Sequence, residues 1–280
     1  MLKRLRFGAI RALQLATYSF VMLAVCLYCE CIGRVWCMWL APKGSLERVR
    51  RANRLVRHCN VELTRLTLAI FNAELEIAGT VPDGRFIIVS NHQSIADIAI
   101  LSSTLRNTNL KFVAKKSLGR GIPGVSLVLR EWGSALVSRN GSRQDVARLR
   151  AMARQLEHWE GSVVVFPEGT RSRDGRLLPY KAAAVRIIAE TANLPILPIA
   201  IDGTHAVSDL RGFVRNMAGA RGRVTIGRPI PPEVWRHRVD EVVDEVREWT
   251  SETIAAGRVS ATVARHGDRG HAIPSKLRYQ

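Results

Sequence analysis

Short runs rich in apolar and β-branched residues recur between Arg85 and Ile226, and they constrain the fold more than any other feature of the chain. They are Arg85 to Ser90, Leu110 to Ala114, Ser134 to Ser138, Ser162 to Phe166, Ile196 to Ile201 and Arg223 to Ile226. Each reads as a strand, and helical patterns fall between several of them, notably over Ser142 to Trp159 and Ala182 to Ala192. The alternation predicts an α/β fold with a mixed, largely parallel sheet covered by helices. On such a scaffold the chemistry belongs in turns at strand ends. The 280 residues suffice for one substantial core. With 47% hydrophobic and 24% charged residues, disorder is excluded as the dominant state.

The N-terminal region has a different character. No residue from Ala12 to Cys29 is charged, and 18 residues of helix span about 27 Å. Apolar character resumes after Glu30 and Arg34 through Val35, Trp36, Met38, Trp39 and Leu40, with no small-residue cleavage site, which weighs against a secretory signal peptide. Glu30 and Arg34 are spaced to pair on a helix, and Trp36 and Trp39 suit a headgroup region. Basic residues flank both ends: Lys3, Arg4, Arg6 and Arg11 before, and Lys43, Arg48, Arg50, Arg51, Arg54 and Arg57 after. A single crossing and a re-entrant hairpin therefore fit equally. From Ser45 to Phe71, Leu46, Val49, Val56, Cys59, Leu63, Leu66 and Ile70 recur at three- and four-residue spacing while arginines take other faces. This is an amphipathic helix, lying at a lipid surface or packed on the protein's own core.

A balance of 42 Lys and Arg against 24 Asp and Glu gives a formal charge of +18, so an anionic partner is expected: nucleic acid, an acidic membrane surface or a phosphorylated substrate. A membrane-anchored nucleic-acid-binding protein is the rival of a different class. It needs basic residues interleaved with exposed aromatics, whereas the arginines concentrate beside the apolar N-terminus; nucleic acid is not an expected partner. Cys26, Cys29, Cys31 and Cys37 lie in the apolar stretch and Cys59 stands apart. An odd count with apolar neighbours reads as hydrophobic filler rather than disulfides or a metal site.

Two strand ends carry the chemistry. Phe86-Ile87-Ile88-Val89-Ser90 delivers Asn91-His92-Gln93-Ser94-Ile95-Ala96-Asp97 into a turn and a helix start. An imidazole and a carboxylate five residues apart can meet there, as needed where a hydroxyl must lose a proton while it attacks. Ser94 to Asp97 also spells a capping box, so a purely structural role stays open. Ser162-Val163-Val164-Val165-Phe166 ends in Pro167-Glu168-Gly169-Thr170-Arg171-Ser172. Gly169 permits close backbone approach, Thr170 offers a hydroxyl, and Arg171 supplies a fork that grips phosphate.

Asn91 to Asp97 resembles the NHxxxxD motif of the glycerolipid acyltransferase superfamily, and Phe166 to Ser172 its FPEGTRS motif in the lysophosphatidate acyltransferase form. Gly133 to Arg139 is similar to a further block, with Leu136 where Phe is usual, and Leu194 to Ile199 to the last, proline-containing one. Tyr180-Lys181-Ala182-Ala183-Ala184 departs from the usual Phe-Lys-Gly. The resemblance implies that His92 is the base and Asp97 its orienting partner. It further implies that Asn91, Arg139, Glu168, Gly169, Thr170 and Arg171 bind substrate, with Lys115 reaching phosphates of the donor. It implies a lysophospholipid acceptor, acyl-CoA or acyl-ACP (acyl carrier protein) as co-substrate, and neither cofactor nor metal; Pro198 is expected in the pocket wall. Glu168, an anion, is expected on a backbone amide or the glycerol rather than on phosphate. The resulting organisation is a membrane-anchoring segment over 1–41, a basic amphipathic helix over 42–72, an acyltransferase domain over 73–256 and a loose basic tail over 257–280. The expected location is the inner membrane, with the catalytic domain on its cytoplasmic face. An amino-acid-linked lysolipid such as lyso-ornithine lipid is the alternative acceptor.

Overall fold

The computed structural model describes residues 2–32, 35, 42, 45–106, 108–121, 126, 129–130, 133–138, 141–158 and 160–267. Arg34, Trp36, Trp39 and Arg139, each given a role by sequence, lie outside them. Helix α1 (Leu2–Ile32) opens the chain, and 23 of its residues, Ile10–Ile32, are long and apolar enough to cross a membrane, about 34 Å at the helical rise. Ile10, Leu13, Phe20, Leu23, Leu27 and Tyr28 stand exposed along it. An aromatic trio ties it down: Tyr18 stacks on Phe213 at 4.7 Å, and Phe71 meets the two rings edge-on at 5.4 and 5.2 Å.

Helix α2 (Leu46–Phe71) starts where Ser45 Oγ accepts the Arg48 N–H at 3.2 Å, and it stops at Asn72 in the left-handed region, φ 48°. Its stripe of Ala52, Leu55, Val56 and Cys59 is buried, and Ala52 and Val56 join the core beneath the sheet. One face of α2 thus packs on the protein's own core.

Strands β1 (Glu74–Ala78), β2 (Ile87–Ser90), β3 (Asn109–Lys115), β4 (Ala135–Val137), β5 (Gly161–Val165), β6 (Ile196–Asp202) and β7 (Arg221–Ile226) form one sheet in the order β1-β7-β6-β2-β5-β3-β4. All pairs are parallel except β6 with β7. The helices that follow are α3 (Ala96–Thr104), α4 (Arg143–Gln155), α5 (Ala183–Ala192), α6 (Leu210–Asn216), α7 (Pro232–Trp235) and α8 (Val239–Gly267). Ile87, Val89, Val163, Val165 and Ile196 pack on one face against Leu149 and Met152 of α4, Val185 and Ile188 of α5 and Val242 and Val246 of α8. Ile88, Val164, Leu197 and Ile199 pack on the other with Ala52, Val56 and Leu101.

Handedness explains the split. The chain passes from β2 over β5 to β3 through α3, and from β5 back over β2 to β6 through α5. Right-handed crossovers run in opposite directions must put their helices on opposite faces. Thus β2 and β5 are parallel neighbours whose carboxyl ends open on one edge, where an α/β sheet presents its crevice.

Two elements differ from the sequence reading. β1 was not expected, because Glu74-Leu75-Glu76-Ile77-Ala78 is an edge strand with mostly exposed side chains and no buried run. The closing helix, expected to end at Ala256, continues to Gly267, so part of the expected loose tail is helical. Gly257 lies inside this helix, where a Cβ would come within 2.8 Å of Arg223 Nη1.

Leu197 is fully buried between layers, so Leu197→Ala is expected to lower stability by about 2–5 kcal/mol through transfer loss and a residual cavity, measured by urea denaturation of the detergent-solubilised protein.

Candidate active site

At the end of β2 the chain uses side chains to do what the strand ladder no longer does. Asn91 is buried and its amide mimics a ladder rung, donating to Ile201 O and accepting from Ile201 N, both at 2.8 Å. Where the resemblance implied a substrate contact from Asn91, the structure shows both its polar ends bonded to β6. This clamp fixes where the next residue leaves the sheet.

His92 is then held by its main chain and its ring. Its N–H donates to Glu168 Oε1 at 2.7 Å, and its C=O accepts the Ser172 N–H at 2.8 Å. Both partners lie in the loop after β5, so the second motif grips the first by its backbone. The ring stacks on Phe166, centroids 4.1 Å apart and planes 16° from parallel. Nδ1 lies 2.9 Å from Asp97 Oδ2, and 13% of the side chain remains exposed. With Nδ1 donating to Asp97, Nε2 is the basic nitrogen.

Asp97 is wholly buried on the first turn of α3. Oδ2 also accepts the N–H groups of Gln93 and Ser94, at 2.7 and 2.8 Å, and Oδ1 accepts the Thr204 hydroxyl at 2.7 Å. The carboxylate therefore takes the Ser94 amide, one half of a capping box, while it holds the His92 ring; the reciprocal half is not formed, because the Asp97 N–H donates to the Ser94 carbonyl. The carboxylate, saturated by donors, cannot rotate away from the imidazole.

Glu168 is buried too, and its Oε2 accepts the Leu178 N–H at 3.1 Å. Burial pushes its carboxyl up to about 7; the amides of His92 and Leu178 pull the other way and only partly offset the desolvation, while nearby Asp97 adds to the rise. Of the contacts expected for Glu168, the structure shows the backbone amide and not a substrate-facing oxygen.

The remaining predicted residues spread along the same edge. Gly169 sits at φ 70°, which a side chain rarely adopts, with open space above it. Thr170 is exposed beside it. Arg171 is half-buried and donates from Nη1 to Ser208 O at 3.0 Å, which uses one of its five donors. Lys115 ends β3, exposed, two strands from β2. The amide of Ser138, just before Arg139, is fixed by both oxygens of Asp145 at 2.9 Å. Pro198 lines a cavity of about 470 Å³ with Thr225, Ile226, Trp249 and Thr253, and that cavity's lining includes neither His92 nor Asp97.

Sequence reading missed a third cluster. Gln93 Oε1 accepts the His205 N–H at 3.2 Å and its Nε2 donates to Asp202 Oδ1 at 3.4 Å, next to Thr204. The signal was legible: Asp202-Gly203-Thr204 is a polar turn after a buried strand adjoining β2.

Residues 72–202, the stretch that carries both motifs, match the family model described as Acyltransferase. Over that stretch the chain is similar to the acyltransferase family. The 1-acyl-sn-glycerol-3-phosphate acyltransferase of Helicobacter pylori is 35% identical over 152 residues, covering 54% of this chain and 60% of that protein. A chloroplastic 1-acyl-sn-glycerol-3-phosphate acyltransferase of Brassica napus is 33% identical over 168 residues, 60% of this chain and 46% of its own length. The chain thus spans about half to three fifths of the curated relatives it matches. In fold it is similar to the crystal structure of a 1-acyl-sn-glycerophosphate acyltransferase from Thermotoga maritima, with a TM-score of 0.56 at 22% identity over 91% of this chain and 100% of that one.

Because the Glu168 carboxyl titrates near 7 when folded and at the ordinary 4.5 when unfolded, the folded state holds the extra proton between them. Its contribution to stability is full below the unfolded value and is lost as pH rises through the folded one. Glu168→Gln should flatten the fall in thermal stability between about pH 5 and about pH 8, followed by melting temperature; equal slopes contradict it.

Proposed function

We propose that this protein transfers a fatty acyl group from an acyl thioester to the free sn-2 hydroxyl of lysophosphatidate, with His92 as general base. The observation that carries the reading is the His92–Asp97 pair, 2.9 Å apart, with a wholly buried carboxylate behind a partly exposed ring. Nε2 takes the hydroxyl proton as the oxygen attacks the thioester carbonyl, and Asp97 stabilises the imidazolium that forms. The tetrahedral intermediate collapses, the C–S bond breaks, and the imidazolium returns its proton to the leaving thiolate. One deprotonated hydroxyl suffices against a thioester, so the step uses neither cofactor nor metal; acyl-CoA or acyl-ACP is a co-substrate.

Lysophosphatidate is the favoured acceptor for two reasons. The relatives above are named for it, and Arg171, half-buried beside Gly169, suits a phosphomonoester better than a bulkier zwitterionic headgroup. Arg139 belongs to the same phosphate site in this reading, and Lys115 to the donor side. The exposed apolar residues of α1 favour a protein held at the inner membrane, its catalytic domain on the cytoplasmic face, where the acceptor reaches the site within its own leaflet.

Initial rates with acyl-CoA on vesicles carrying equal surface amounts of lysophosphatidate, lysophosphatidylcholine or a phosphate-free lysolipid test the acceptor. Lysophosphatidate should be fastest; faster transfer to the phosphate-free lysolipid rejects it. His92→Ala should lose about a hundred- to ten-thousandfold in rate while remaining folded, and wild-type turnover would reject the mechanism.

A further inference from the structure

Arg258 lies on α8, 56 residues beyond Asp202, where the sequence was expected to be a loose tail. It does not behave as a tail residue. Nε and Nη2 donate to the two oxygens of Asp202 at 2.9 and 2.7 Å, and Nη2 also reaches Gly175 O at 3.0 Å. Gly175 belongs to the loop that continues from the second motif, at φ 76°, where the His205 ring lies against it; a Cβ would come within 2.8 Å of Nδ1. One guanidinium therefore joins the C-terminal helix to the end of β6 and to the loop after β5.

We propose that Arg258 is a positioning residue for the His92–Asp97 pair, acting through Asp202 and Gln93. Asp202 is 18% exposed and receives donors from two sides, Arg258 and the Gln93 amide. That amide has only one satisfying orientation: Asp202 requires a donor and the His205 N–H requires an acceptor, so Nε2 faces the first and Oε1 the second. The oriented Gln93 gives its own backbone N–H to Asp97 Oδ2, the oxygen that holds His92 Nδ1. Burial raises the Asp202 carboxyl, and the hydrogen bond and charge of Arg258, together with hydrogen bonds from the Gly203 N–H and the Gln93 amide, more than offset it. An ion pair as exposed as Arg258 contributes little alone; here its partner is shared with the residue beside the base.

Among the described residues, the ionisable groups around His92 are Asp97 on α3, Glu168, Arg171 and Asp174 in the loop after β5, Asp202 on β6, His205 in the turn that follows, and Arg247 and Arg258 on α8. Removing the Arg258 charge leaves Asp202 uncompensated, which favours the imidazolium. The test uses the full-length protein in nanodiscs with Arg258→Met, Arg258→Lys, Asp202→Ala and the Met/Ala double variant. The first readout is the titration of the His92 ring by NMR, which needs no substrate. Its midpoint should rise in Arg258→Met and return part of the way in Arg258→Lys, which keeps the charge but not the fork. The second readout rests on the proposed function. The kcat for lysophosphatidate should fall about tenfold in Arg258→Met with KM little changed, and the double variant should be no worse than Asp202→Ala. An unshifted midpoint in Arg258→Met, whatever its melting temperature, overturns the proposal, as do fully additive losses in kcat. Absence of transfer in the wild type, with a shifted midpoint, would fail the functional reading and leave Arg258 in its positioning role.

Discussion

The site depends on the capture of one residue's main chain by another loop. His92 gives its N–H to Glu168 and its C=O to Ser172, so a segment leaving β2 is held at both main-chain groups by a segment leaving β5. Parallel, adjacent strands make this possible: the register of Val89 opposite Val165 brings the two exits side by side. A hydrogen bond to a backbone amide does not depend on which side chain the amide carries. The grip on the segment is therefore indifferent to His92 itself, and the imidazole is left to Asp97 and Phe166.

Two buried carboxylates stand within this small region and their surroundings differ. Asp97 has four donors, three on Oδ2 and one on Oδ1, and Glu168 has two. In Glu168 desolvation outweighs the donors and the carboxyl is pushed up. The donor-rich acid stands behind the His92 ring, and the other serves as a buckle between loops.

The central strands and both motif loops were legible because Ile87 to Val89 and Val163 to Val165 are apolar runs with polar exits. Their order in the sheet was not legible, since it follows from crossover handedness. Asn91 and Glu168 both turn their polar atoms to main-chain partners. A polar residue in a motif reads as a ligand contact, whereas here burial forces each to satisfy main-chain groups first. Edge strand β1 escaped because its side chains alternate around charge instead of forming a core run. The end of α8 escaped because Gly257 reads as a stop, yet the helix runs through it to Gly267. The resemblance to acyltransferases singled out His92 and Asp97, but Gln93, Asp202 and Arg258 come from parts of the chain that only the fold brings together.

The central claim is that His92 presents a bare Nε2 because Asp97 claims Nδ1. Nitrogen NMR of histidine-labelled protein in nanodiscs, at a pH where the ring is neutral, reads the tautomer directly. The account requires a protonated Nδ1 and an unprotonated Nε2 in the wild type. A proton resident on Nε2 would mean that the ring cannot accept one from a hydroxyl, and it would contradict the assignment of His92 as the base.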